Sequence, residues 1–348
     1  MRGLGLIRGT VFVCLMMVGV AHAQQTAPPV EPPLPVPNPE QSDQVLRVTT
    51  KEVLVPTLVE KHDGGVVYGL GAKDFVVEDN GVPQKVHVQE EMDTAPVALV
   101  VAVGQGGASV LEFDKVARLA PLLDAFLSDA KSRAALVGFD SEPHLLHDFT
   151  HSSDALNESL QRMEPGDGGD AIMDTASYAV DLLNDQPRDF RRVLLLISEA
   201  RDHGSKHTKT EALIRKIGQS DVLVLTVSFS PARAELLHDV TSSDEAPMTN
   251  IIPALLMLVN AMKKNVTKEI AQMSGGEYTT FTGDKRFEEQ VLDAAKHTRN
   301  RYLLTFRPSN PTPGLHTLKV RLAQDYGARI VSRANYWVGD ELPASGAQ

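Results

Sequence analysis

Between residues 96 and 300 the sequence alternates unbroken apolar runs with stretches of helical spacing. That alternation limits the fold more than any other feature. The runs at 97–103 (VALVVAV) and 193–197 (VLLLI) contain no polar position. A strand that is apolar on both faces must be covered on both, the condition of a parallel sheet between two helical layers. Further strands are expected at 134–139, 145–149, 222–229 and 277–281. Helices are expected at 109–126, 154–163, 171–183, 210–217, 266–273 and 287–297. Thr208 and Glu211 have the spacing of a capping box for the helix at 210–217. Strands alternating with helices in this way define an α/β, Rossmann-like fold: a mostly parallel sheet with helices on both faces.

The flanks read differently. Residues 45–50 and 53–59 are rich in β-branched side chains, and His62-Asp63-Gly64-Gly65 reads as a hairpin turn. Strands at 74–78 and 84–89 follow, joined by Asp79-Asn80-Gly81. Beyond Asn300 the helical spacing stops, and 302–306, 318–322 and 330–337 read as strands between Pro- and Gly-rich turns. Neither flank has enough strands for a core of its own. The expectation is therefore a small β-sandwich built from 44–93 and 301–340, with the α/β domain of 94–300 inserted between them. One segment, 231–262, interrupts the alternation, and its apolar residues Ile251, Ile252, Leu255, Leu256, Leu258 and Val259 form a stripe. Core is the expected use of such a stripe, and a partner surface is the alternative.

Ahead of the folded part lies a targeting pattern. Arg2 and Arg8 precede an apolar run at 10–20, and Ala21-His22-Ala23 puts small residues where a signal peptidase reads them. Residues 1–23 are read as a signal peptide cleaved after Ala23, and the protein as secreted or periplasmic. The single cysteine, Cys14, leaves with that segment. Two arginines leave as well, so 34 basic residues become 32 against 45 acids, and a net charge of −11 becomes −13. That balance argues against nucleic acid as a partner, because phosphate neutralisation needs clustered Lys and Arg. Residues 24–43 are a proline-rich linker, with seven prolines between positions 25 and 42. No later run is long enough for a membrane span; the longest, 251–262, is broken by Pro253 and Asn260.

Several motifs in this order carry a resemblance. Leu70-Gly71-Ala72-Lys73-Asp74-Phe75, Glu78-Asp79-Asn80-Gly81-Val82-Pro83-Gln84, Gly275-Gly276-Glu277-Tyr278 and Tyr302-Leu303-Leu304 followed by Pro308-Ser309-Asn310 are each short. Together, over 44–340, the chain resembles the VWFA-related domain proteins of the acidobacterial type. These are exported proteins built around a von Willebrand factor A domain with flanking β segments. The resemblance implies an A-type fold, a protein partner, and a metal-ion-dependent adhesion site at the C-terminal ends of the strands. In the family that site is D-x-S-x-S after the first strand, a Thr before the third helix and an Asp after the fourth strand. Its all-oxygen ligand set suits Mg²⁺.

The sequence departs from that pattern at each element. Gly104-Gln105-Gly106-Gly107-Ala108 stands in place of D-x-S-x-S, Asp170 in place of the Thr, and Glu199 in place of the Asp. No metal site of the standard type is expected, and no cofactor. One reading has the sheet-end loops, with Gly104, Gln105, Gly106, Gly107, Asp170, Glu199 and Asp202, binding a protein partner directly. In that reading the glycines bare backbone N–H groups ahead of a helix starting near Ser109, a favourable place for a partner carboxylate. A second reading keeps a rearranged divalent-cation site on Asp170, Glu199 and Asp202, with His203 as a possible addition. The groups His203/His207 and His144/His147/His151 read as surface histidines, since 144 and 147 face opposite sides of a strand.

Catalysis has little to stand on. No G-x-S-x-G elbow and no H-E-x-x-H helix are present. Gly104-Gln105-Gly106-Gly107 imitates a dinucleotide loop but has Ser109 where the third glycine belongs. The expectation is an exported, non-enzymatic protein-binding module with a degenerate metal site. The alternatives are a metal-dependent adhesion or sensor domain and a secreted hydrolase, the last requiring a pocket of convergent titratable groups.

Overall fold

The computed structural model describes residues 52–89, 95–107, 109, 113–116, 119–229, 251–281 and 283–339. The signal-peptide, linker and 45–50 strand assignments lie outside the described residues, as does most of the 231–262 insertion.

Six strands form the central sheet: β5 (Val97–Gly104), β6 (Arg133–Phe139), β7 (Pro143–Thr150), β8 (Arg191–Ser198), β9 (Leu223–Phe229) and β10 (Tyr278–Phe281). Their order is β10-β9-β8-β5-β6-β7, parallel throughout except for the edge strand β7. Every residue of β5 is buried. Val97, Leu99, Val101 and Val103 face one helical layer, while Ala98, Val100 and Ala102 face the other, as a side-chain period of two requires. The first layer holds α1 (Phe113–Val116), α2 (Leu119–Leu123), α3 (Ser153–Gln161) and α8 (Asp284–Arg299). The second holds α4 (Ile172–Asn184), α5 (Thr210–Gln219), α6 (Ile251–Lys264) and α7 (Val266–Ser274). The α/β reading therefore holds, with some local differences. The helix expected over 109–126 ends at Leu123, and 124–126 form a turn. The capping box of Thr208 and Glu211 does not form: Lys209 is the N-cap, and Thr208 N–H donates to Asp174 instead. The apolar stripe at 251–259 is helical, with Val259 and Met262 in the core and Leu256 and Met257 exposed.

The flanks supply two four-stranded antiparallel sheets, ordered β13-β1-β11-β4 and β14-β12-β2-β3. Their strands are β1 (Val53–Lys61), β2 (Phe75–Asp79), β3 (Val82–Gln84), β4 (Val86–Gln89), β11 (Tyr302–Phe306), β12 (Gly314–Leu322), β13 (Ala328–Ser332) and β14 (Asn335–Val338). One hydrophobic cluster, including Val55, Val59, Phe75, Val77, Leu304, Phe306 and Leu318, lies between them. Edge-to-face pairs Phe75–Tyr302 and Phe306–Tyr336 cross from sheet to sheet, with centroids 5.2 and 5.9 Å apart. Asn80 (φ 48°) and Gly81 (φ 80°) make the left-handed turn between β2 and β3.

Two expected strands turn out to be divided between the sheets. Residues 84–89 read as one return strand, yet β3 pairs with β2 while β4 pairs with β11. Likewise 330–337 splits into β13, on β1, and β14, on β12. The second split is fixed by Arg333, which is 4% exposed and sits in the break. Its guanidinium donates to the carbonyls of Leu54 (3.1 Å), Gly218 (2.7 Å) and Asn335 (2.9 Å), joining β1, the end of α5 and β14. A strand that must place a cation inward cannot continue its pairing through that point.

Candidate functional site

At the C-terminal ends of β5, β6 and β8 the chain forms loops at 105–107, 140–142 and 199–209, joined by 164–171 ahead of α4. Gln105 ties three of these segments together. Its N–H donates to Phe139 O (2.7 Å), its carbonyl accepts from Gly166 N (2.9 Å), and its side chain donates to Glu164 O (2.9 Å).

The glycines serve close packing. A Cβ on Gly106 would strike the backbone carbonyl of Gly169. Gly107 has φ +52°, and a Cβ there would lie 2.6 Å from Oε1 of Glu199. At Gly104 a Cβ would meet Ser109 Oγ and Asp170 Oδ1. Two neighbouring backbone N–H groups are taken within the loop, that of Gln105 by Phe139 O and that of Ser109 by Gly106 O.

Most acids here hold the loops by accepting backbone N–H groups. Asp140 accepts from Glu142 and Asp167, and Asp167 from Ser141 and Gly169. Asp174 accepts from Lys206 (2.8 Å) and Thr208 (2.6 Å). Asp202 accepts from Met173 N (3.0 Å), in the first turn of α4, and from Ser205 Oγ (2.5 Å). Hydrogen bonds from Ser141 and the N–H of Gly169 hold the Asp167 carboxyl below the usual range. Burial would raise Asp174, but its ring of N–H donors outweighs this and lowers it.

Asp170 is the exception. It is 1% exposed, and neither carboxylate oxygen receives a hydrogen bond of normal geometry; the hydroxyl of buried Ser109 is likewise unpartnered. Burial, then the charge of Glu199 and more weakly that of Asp202, push Asp170 up to about 8, against a partial pull from the Glu199 backbone N–H. A proton on Asp170 at neutral pH is the least costly way to keep two acids there.

The residues expected to share a cation are thus placed unequally. Asp170 lies inside, Asp202 is committed to α4, and Glu199 reaches toward Gly107 and His203 (3.6 Å). No set of one oxygen each from Asp170, Glu199 and Asp202 lies within 4.8 Å; among the described residues the set that meets that limit is Glu60, Glu277 and His297. His144, His147 and His151 take separate partners, Asp140, Asp148 O and Ser132 O. Sequence reasoning missed Asp174 and Ser109; Asp174 binds the backbone of 206–208, more than thirty residues away, which no local pattern announces.

No family model matches the chain, and no curated protein matches its sequence. Several solved structures align with part of the chain. BatB from Bacteroides thetaiotaomicron aligns at TM-score 0.41 and 15% identity, over 58% of this chain and 99% of that one. The vWF domain of the type V pili tip protein Mfa5 from Porphyromonas gingivalis aligns at TM-score 0.30 and 22% identity, over 34% and 43%. The SpRpn10 VWA domain aligns at TM-score 0.31 and 13% identity, over 46% and 94%. Among the described residues no helix is long and apolar enough to cross a membrane.

Proposed function

We propose that this chain is an exported, non-enzymatic interaction module of the von Willebrand A type, and that its sheet-end loops bind a protein partner without a bridging cation. The observation that carries the reading is Asp170. A metal that links two proteins needs an open coordination position, and the one well-placed carboxylate is 1% exposed and enclosed by loops that glycine lets close. The serine pair of the adhesion site is replaced by Gly106 and Ala108. The family's metal site does not fit these residues.

The partner face is the rim around that closed centre, with Gly107, 164–168, His203, Lys206 and His207 exposed. Gly168 is the position at which to test it, since a Cβ there meets nothing within 4 Å. Gly168→Arg leaves the fold intact and blocks the rim. Partner capture that survives chelation and is lost in Gly168→Arg supports the reading. Capture that needs Mg²⁺ overturns it.

The unpartnered oxygens of Asp170 and Ser109 favour one second reading, a small cation enclosed within the loops as a structural element. Calorimetric titration of Mg²⁺ or Mn²⁺ into the wild type and Asp170→Asn separates the two. Tight binding lost in the variant supports the enclosed ion.

A further inference from the structure

Away from the sheet end, a polar cleft of about 370 Å³ opens beside β10 and α8, where they meet β1 and β13. Glu60, Glu277, His297, Asp293, Arg286 and Arg329 are among its lining side chains. Titratable groups therefore do converge in a pocket, but most are spent on one another. Glu277 accepts from Arg301 (2.9 Å) and from Nδ1 of His297 (3.0 Å), and Glu60 accepts from Arg329 (2.7 Å) on Oε2. Burial would raise the Glu277 carboxyl, yet the His297 hydrogen bond and the neighbouring cations hold it below its ordinary value.

One pair is held only at ion-pair distance. His297 Nε2 and Glu60 Oε1 face each other at 3.9 Å, too far for a hydrogen bond, on side chains each 7% exposed. The bond from Nδ1 to Glu277 fixes the ring so that, in the neutral form, the Nε2 lone pair points toward Glu60. A carboxylate on the far nitrogen of a histidine is the usual support of a metal-bound imidazole. Ligand bonds of roughly 2.0–2.2 Å from an imidazole nitrogen and a carboxylate oxygen span such a gap. Asp293, one turn before His297 on α8, lies in the cleft wall, and the cleft has room for water to complete the coordination.

We infer that Glu60 Oε1 and His297 Nε2 bind a divalent transition cation, Zn²⁺ being the best match to one imidazole and carboxylate oxygens. Glu277 is the positioning residue that sets the tautomer, and Arg301 and Arg329 hold the two carboxylates in place. The ion would join β1 of the flanking sheet to α8 of the central domain. The site shares no residue with the sheet-end loops and stands independently of the proposed function.

The test is calorimetric titration of the full chain with Zn²⁺, paired with the visible spectrum of the Co²⁺-substituted protein. Glu60→Gln keeps the shape and the contact with Arg329, and His297→Asn keeps a donor toward Glu277, so both fold; circular dichroism checks this. The wild type is expected to bind one equivalent, with each variant weakening it at least tenfold and removing the imidazole–Co²⁺ bands. Glu199→Gln should leave binding unchanged, which separates this site from the sheet end. Wild-type-like Zn²⁺ binding by folded Glu60→Gln and His297→Asn overturns the proposal, as does the absence of Zn²⁺ binding by the wild type.

Discussion

A Cβ placed on Gly107 would lie 2.6 Å from Oε1 of Glu199, so the loop after the first central strand and the end of β8 are packed with no room for a side chain. The neighbouring Gly106 is tighter still, because the group it would strike is the backbone carbonyl of Gly169 rather than a movable side chain. Gly106→Ala should cost about 3 kcal/mol, toward the upper end of overpacking penalties. Gly107→Ala should cost less, about 1–2 kcal/mol, since Glu199 can swing away although the positive φ remains strained. Urea unfolding of the two variants beside Gly168→Ala, which meets nothing, gives the order directly.

Asp170 makes a pH prediction. Its pKa rises from 3.8 to about 8 on folding. Between those values the folded state holds a proton that the unfolded state has released, so stability falls as pH rises across the window. Asp170→Asn removes that slope and should be more stable than the wild type at pH 8, by about 1–2 kcal/mol. Thermal melts of both proteins from pH 5 to 8.5 check it. Parallel curves would refute the assignment.

His316 adds to the slope from the flanking sheets. Nδ1 faces the Asp79 carboxylate (2.8 Å) and Nε2 the carbonyl of Thr312 (2.7 Å), two acceptors that favour the charged ring. Burial alone would lower its pKa, but the Asp79 and Thr312 hydrogen bonds outweigh it and raise the value above 6.5. The stabilisation is complete below the unfolded value near 6.5 and disappears as pH rises through the folded one. Asp79→Asn should cost about 3–5 kcal/mol at pH 6, the price of a buried charge without its partner. Side-chain NMR of His316 reads the titration itself.

Arg333 binds three separate elements through carbonyl acceptors, and lysine cannot reproduce a planar fork. Arg333→Lys should lower stability by about 2–4 kcal/mol, most of it from carbonyls left unpaired inside. Hydrogen exchange at Gly218 and Leu54 should quicken together. Exchange confined to one of them would show that the residue is not a shared fastening.

The central sheet was legible because strands buried on both faces leave no polar position, as in 97–103 and 193–197. The two divided strands were not. Lys85 and Arg333 interrupt runs that alternate correctly on either side, and one-dimensional pattern does not record which sheet receives a strand. The sequence also marked Gly104, Gly106 and Gly107 as special, but not the close packing they permit, against Asp170 and Ser109, Gly169, and Glu199 respectively. Which acid is enclosed depends on that packing. The pairing of Glu60 with His297 joins positions far apart in the chain, and no local motif announces it.

The most direct test of the central claim is capture of envelope proteins by the full chain in excess chelator, with Gly168→Arg as the control for the rim. Metal-independent binding through the sheet-end loops predicts a partner retained in chelator by the wild type and lost by the variant. A partner that is released by chelator, returns with Mg²⁺ and ignores Gly168→Arg would contradict it.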